Sequence, residues 1–384
     1  MLRGFDVETA WRTKQHCSYQ QRNGRTDMFK LAARRTNEFC EAYGLKVPIL
    51  MAPMAGACSP PLAAAVMEAG GMGGCGALLM DPEAIARWAA DVRAKSDGSF
   101  QMNLWVPDPA PMRDAGHERA VADFLADWGP RPADLSAEPP ISFADQCEAL
   151  IEARPTAVSS IMGLFPSRTV DRLKAEGIRW FATATTVAEA LEAEEAGADA
   201  IVAQGSEAGG HRGAFEADKA EAQTIGLVSL VPAVCDAVSI PVIASGGIAD
   251  ARGIVAAVAL GASAAQIGTA LLRSPEAAIA PAWADGLGRA RPEDTVATRA
   301  FSGRLGRALR TDHVAATERP DAPAPLPYPL QRSATGPMRA RATQENDLAG
   351  LQAWAGQSAS LARATPAGEI VSAIWAEARA ALDQ

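Results

Sequence analysis

The sequence predicts an α/β fold, a (β/α)8 TIM barrel carrying a smaller, mainly helical C-terminal subdomain, on three observations. Eight short apolar runs bounded by Gly, Pro or Asp alternate with helical patterns between residues 47 and 268. That span is close to the roughly 250 residues such a barrel needs. No strand is followed by the GxGxxG turn of an open dinucleotide-binding sheet.

The strands are expected in order. Residues 47–52 lead through a Gly/Pro turn into a helix at 61–69. The second strand, 74–79, precedes Asp81-Pro82-Glu83, in which Asp is suited to cap a helix and Pro to open its first turn. The third is 100–106. The fourth, 157–161, precedes a helix opening at Pro166-Ser167, and the fifth, 180–184, precedes one at 186–196. The sixth is 200–204, followed by a Gly-rich turn. The seventh, 241–245, precedes a helix at 249–260, and 264–268 closes the series.

Between the third and fourth strands the chain makes a Pro-rich excursion, 107–145, around an amphipathic segment at 118–128. It is expected to be a lid, a subunit contact in a homodimer, or a tolerated insertion. The division is then an N-terminal extension, 1–28, expected to be poorly ordered, a barrel at 29–275, and a helical subdomain at 276–384 ending in a helix at 367–382.

Hydrophobic residues make up 48% of the 384, enough for a large core, and no 18-residue apolar run suggests a membrane span. A net charge of −9 argues against nucleic acid and anionic membranes as partners. The cysteines at 17, 40, 58, 75, 147 and 235 show no CxxC spacing, so reduced thiols and no structural metal are expected. Residues 1–28 lack the apolar core of a secretory signal, and a cytoplasmic location is expected.

The most informative stretch is residues 204–213, Gln-Gly-Ser-Glu-Ala-Gly-Gly-His-Arg-Gly. A Gly-rich turn at a strand end lets backbone approach a ligand, and His211 supplies an imidazole suited to proton chemistry. The alternative is a tight turn with a surface histidine. Ser245-Gly246-Gly247 and Gly268-Thr269 end the last two strands, each expected to lead into a helix. Free N–H groups there make a phosphate cradle, or ordinary helix caps. Asn103 and Gln204 offer amides for the polar edge of a heteroaromatic ring, or for a turn contact. His16, His117 and His313 lie outside these motifs and are expected at the surface.

At these residues the sequence resembles the nitronate monooxygenase family, formerly the 2-nitropropane dioxygenases, in its bacterial FMN-only class. The similar segments are residues 48–56, 70–73, 101–104, 182–186, 207–213, 244–248, 266–269 and Trp354-Ala355-Gly356-Gln357. The resemblance implies an FMN-dependent barrel oxidising alkyl nitronates, such as propionate 3-nitronate, by O2 to a carbonyl compound and nitrite. Neutral nitroalkanes would need His211 as general base. By motif, His211 faces the substrate, and Asn103, Gln204, Gly209, Gly210, Ser245, Gly246, Gly247, Gln266, Gly268 and Thr269 hold FMN. Met54 and Ala55 pass close to the flavin ring. Residues 304–309 depart from the family's more usual run, so no substrate contact is carried over from the C-terminal part. Alternatives are an FMN-dependent NAD(P)H reductase of a quinone or enoyl thioester, a cofactor-free sugar-phosphate lyase or isomerase, and a non-catalytic FMN-binding protein.

Overall fold

A computed structural model describes residues 25–132 and 141–383. Eight parallel strands form the barrel: β1 (Ile49–Met51), β2 (Gly73–Gly76), β3 (Phe100–Trp105), β4 (Ala157–Ile161), β5 (Arg179–Ala184), β6 (Ala200–Gln204), β8 (Val242–Ser245) and β9 (Ala264–Ile267). The gap in numbering is β7 (Gly210–His211), a two-residue strand outside the barrel. β1 pairs with β9, and a parallel bridge between Leu50 and Met72 joins β1 to β2, so the sheet closes. Closure leaves no edge strand to attract another chain.

The strands are buried on both faces. Leu50, Met72, Phe181, Val202 and Ile243 point inward and pack with Phe39 and Tyr43 of α1 (Arg25–Tyr43), which plugs the end of the barrel where the strands begin. The other strand face meets the surrounding helices. Their starts follow local capping chemistry: Ser59, Asp81 and Thr186 accept from the first-turn N–H groups of Leu62, Ala84 and Glu189, and Thr186 with Glu189 forms a capping box.

The eight strands and their order agree with the sequence reading. The C-terminal part is more entangled with the barrel than a boundary at 275/276 suggests. Its last helix, Ala367–Leu382, lies between Pro60–Glu68 and Ala251–Ala259 and completes the helical ring. Ala367, Ile370, Val371, Ile374 and Ala378 belong to the barrel's own core. Residues 276–366 therefore stand as an insertion between the last strand and its helix. They also contain β10 (Thr295–Thr298) and β11 (Gly306–Leu309), besides the expected helices.

The Pro-rich excursion has a partner in this insertion. Val121 and Leu125 of helix Ala115–Leu125 share a second core with Phe301, Leu330 and Met338. The excursion thus buttresses the C-terminal insertion rather than hanging free. Most of the expected N-terminal extension lies outside the described residues; Arg25 onward is already helix α1. Among the described residues, no helix is long and apolar enough to cross a membrane. Cys58, Cys75 and Cys147 are buried free thiols, and burial pushes Cys58 and Cys147 up to about 12, so they are poor nucleophiles.

His313 is not at the surface. It is fully buried among Phe124, Trp128 and Phe301, because it sits where the excursion meets the insertion. Burial lowers its pKa to about 4. The folded state thus refuses a proton that the unfolded chain accepts below its ordinary value of 6.5. Stability is present above pH 6.5 and lost as pH falls toward 4, by ~1.4 kcal/mol per pH unit. His313→Phe should remove that contribution. Urea unfolding at pH 7 and pH 4.5 should show the variant losing about 2 kcal/mol less on acidification than the parent; equal losses would contradict this placement.

Candidate active site

The C-terminal ends of the barrel strands surround a cavity of about 370 Å³. This is the face where barrels of this architecture keep their chemistry, because the loops there can vary without disturbing the core. Asn103 and Trp105 from β3, Ser159 from β4, Thr183 from β5, Gln204 from β6, Ser245 from β8 and Gln266 from β9 line it. Met54 and Ala55, from the loop after β1, close one side.

His211 reaches this cavity on a strand rather than a loose turn. β7 pairs antiparallel with β11, setting Gly210 opposite Arg307 and His211 opposite Gly306. The Arg212 N–H donates to the Leu305 carbonyl at 2.8 Å. Side chains fix the other edge. Gln204 Nε2 donates to the His211 carbonyl (3.0 Å), and Gln204 Oε1 accepts from the Gly213 N–H (2.7 Å). Arg212 is 6% exposed and donates to the carbonyls of Gln204, Thr185 and Gln223. It is a buried brace. Glu189 accepts from the N–H groups of Thr185, Thr186 and Phe215 and holds the end of the segment.

The imidazole is half-buried and lines the cavity. Its ring centroid lies 4.7 Å from Trp105 and 4.7 Å from Trp354, and Nε2 is 2.7 Å from Ser302 Oγ. Ser302 Oγ also lies 3.3 Å from the Arg304 carbonyl, to which it donates, so it accepts from His211 Nε2–H. Nδ1 then carries the lone pair. Burial, reinforced by the charges of Arg332 and Arg304, depresses the pKa to about 3. The sequence pointed to a group titrating near neutrality. Burial and the two arginines shift the ring toward its neutral form.

The glycine-rich grip is present beside it. Gly246 and Gly247 have φ of 120° and 67°, and a Cβ on Gly246 would fall 3.0 Å from the Ala208 nitrogen. The N–H groups of Gly246, Gly247 and Thr269 find no acceptor among the described residues. Gly209 packs so closely on the Ala355-Gly356 backbone that a Cβ would lie 2.5 Å from the Gly356 nitrogen. Gly268 precedes only a three-residue 3-10 turn, Thr269–Leu271, so the second helix dipole expected there is missing.

Several expected donors already have protein partners. Gln204 spends both amide atoms on the histidine strand, as described. Thr269 Oγ1 accepts from the Gly356 N–H at 3.0 Å. Gln266 Oε1 accepts from Gln101 Nε2 at 2.9 Å, and its Nε2 donates to Ser245 Oγ at 3.4 Å. Asn103 Nδ2 donates to the Ser159 carbonyl and hydroxyl, which leaves its Oδ1 as the atom for a ligand. Gly210 is held in strand pairing with Arg307 rather than in an open turn.

Sequence reasoning missed the far wall. Tyr328 stacks on Trp105 at 4.5 Å, and Trp354, Arg332, Arg339 and Ser358 line the same cavity. Only Trp354 belonged to a similar segment. The others come from the insertion after the last strand, where the sequence offers no periodic signal pointing inward. Arg304, nearly inaccessible, forms an ion pair with Asp108 of the Pro-rich excursion and donates to the Ala214 carbonyl at 2.8 Å. Through it the excursion reaches the histidine strand.

Comparison with known proteins agrees with this architecture. The family model described as nitronate monooxygenase matches residues 38–377. A nitronate monooxygenase of Pseudomonas aeruginosa is 40% identical over 355 residues, covering 90% of this chain and 99% of its own. The structure of a nitroalkane oxidase from Streptomyces ansochromogenes superposes with a TM-score of 0.81 at 35% identity, covering 90% of this chain and 99% of that one. FabK from Thermotoga maritima follows with a TM-score of 0.71 at 31% identity, over 90% and 97% of the two chains. With the family model spanning most of the chain, and a barrel whose histidine strand and glycine grip face one cavity, this protein belongs to the nitronate monooxygenase family.

Proposed function

We propose that the protein is an FMN-dependent enzyme that oxidises alkyl nitronates with O2 to a carbonyl compound and nitrite. The observation that carries this reading is a neutral, half-buried imidazole facing a cavity without a carboxylate, beside a backbone grip suited to phosphate. Nitronates are anions, and every ionisable group lining this cavity is either neutral or positive.

The site fits the cofactor. The φ values at Gly246 and Gly247 open a cradle that a side chain would obstruct, and its free N–H groups suit a phosphate. Asn103 Oδ1 and the amide atoms of the strand ends supply polar partners for a ring edge, with Met54 and Ala55 as an apolar wall. FMN, when bound, supplies the electron-transfer chemistry between nitronate and O2. The protein's residues do the remainder.

His211 can serve an anion through Ser302. If the Ser302 hydroxyl turns from the Arg304 carbonyl to Nε2, the ring's proton resides on Nδ1 and can donate to a nitronate oxygen. In the other tautomer Nδ1 accepts a proton from the carbon of a neutral nitroalkane. The imidazolium then formed is stabilised only by the anion it has just created, which ties protonation to substrate. Trp105, Trp354 and Tyr328 exclude water around this exchange and strengthen it by lowering the local dielectric.

Two outcomes follow. His211→Asn should keep its flavin yet lose about 100-fold or more in kcat/KM, and in the parent no break at pH 6.5 should appear for a nitronate, since the ring is already neutral there. Steady-state kinetics from pH 5 to 8 check both; undiminished turnover by the variant removes His211 from the mechanism. Gly247→Val, placing a branched side chain at φ 67°, should purify with little flavin, read from the visible absorbance per protein. A full complement of flavin would place the phosphate elsewhere.

A further inference from the structure

Among the described residues, three that are not glycine have left-handed backbone, and two of them close helices. Arg154 (φ 47°) ends Phe143–Ala153, and Asn346 (φ 52°) ends Gly336–Glu345. The third, Met162 at φ 70°, directly follows β4 and ends no helix. That conformation is unfavourable for an L side chain and free of strain for glycine. A glycine stands one position later, at 163, itself with φ 150°. The turn is held in place: the Val106 N–H donates to the Ile161 carbonyl at 3.0 Å, and a Cβ on Gly163 would fall 3.2 Å from Val106 Cγ1.

In a regular strand, successive side chains point to opposite faces. β4 keeps to this through Ser159, which lines the cavity, Ser160, which accepts from Trp180 Nε1 at 3.1 Å and does not, and Ile161, which lines it again. Met162 would be expected to turn away next, yet it lines the cavity as well. It is 4% exposed and belongs to none of the apolar cores formed by the described residues. Its place is the cavity wall rather than the packed interior. That wall is apolar and runs to the imidazole. Ile161 pairs opposite Trp105, whose indole lies 4.7 Å from the His211 ring, and a Cβ on Gly213 would fall 3.0 Å from Ile161 Cγ1. Strain kept at a cavity wall, under a flexible thioether that no core uses, marks a contact with a ligand.

We propose that Met162 is a specificity-determining residue: with Ile161 and Trp105 it forms an apolar slot for the carbon chain of the substrate, and its side chain ends that slot, restricting the enzyme to short-chain alkyl nitronates. The inference rests on the nitronate reading above and names the group that sets its chain length. A nitronate whose anionic end faces His211 lays its chain most favourably on apolar surface, and Trp105, Ile161 and Met162 supply that surface beside the ring. No residue from 163 to 182 lines the cavity, so Met162 is the last group on that side.

The test measures kcat/KM for ethyl, butyl and hexyl nitronate with flavin-loaded parent, M162A, M162G and M162L. Burying one more methylene is worth about fourfold. A slot longer by two carbons should therefore raise the hexyl-to-ethyl ratio about 10-fold in M162A and M162G, while M162L, of similar volume, should keep the parent's ratio. A ratio unchanged in both shortened variants overturns the proposal, and so does one raised equally in M162L. M162G guards against a folding defect, because glycine adopts this backbone freely. It should unfold at a higher urea concentration than M162A; the reverse order would contradict the left-handed turn on which the inference stands. Calorimetric binding of propionate and heptanoate, planar anions like nitronates but inert to oxidation, gives a readout free of turnover, in which M162A shifts preference toward heptanoate. Nitronate turnover without a chain-length shift in either measurement refutes the slot alone. A shift in carboxylate binding without any nitronate turnover refutes the oxidation reading and leaves the slot standing.

Discussion

The active face depends on one constraint: residues 210–212 must be held as a strand. Pairing with residues 305–307 supplies one edge, and the Gln204 amide and Arg212 guanidinium supply the other. A glycine-rich segment on its own would sample many conformations, and ordering it costs about 1–2 kcal/mol per residue. Here the hydrogen bonds come from elements already rigid, β6 and β11. The imidazole is consequently presented at one height and angle, between two indole rings. The C-terminal insertion is thus part of the site, since without β11 there is no β7.

Electrostatics follows from that placement. A histidine set between two indole rings and facing two arginines is held toward its neutral form, and the charged groups lining the cavity are positive. Water exclusion makes each interaction worth more than it would be at the surface. The same burial makes the molecule sensitive to acid, because His211 and His313 both resist a proton that the unfolded chain takes up.

The barrel was legible because its signals are local. Short apolar runs bounded by Gly, Pro or Asp mark strands, and Asp81 and Thr186 mark helix starts by capping chemistry that needs no tertiary information. The glycine grip was legible for the same reason. The far wall was not. Arg332 and Arg339 reach the cavity from helices whose inward face is defined only by packing against the excursion. His313 shows the reverse case, in which its place outside the motifs suggested a surface role and burial decided otherwise. The eighth helix was identified as a helix but not as part of the ring, because 99 residues separate it from the last strand (267 to 367).

The central claim is that a flavin in this cavity takes electrons from a nitronate and not from a nicotinamide. The most direct measurement is the visible spectrum of the flavin-loaded protein under anaerobic conditions, with ethyl nitronate and NADH added to separate samples. Rapid loss of the oxidised flavin band with ethyl nitronate, and an unchanged spectrum with NADH, is the result this account predicts. Full bleaching by NADH with no response to the nitronate would contradict it, leaving the barrel and its glycine grip in place but assigning them to a reductase.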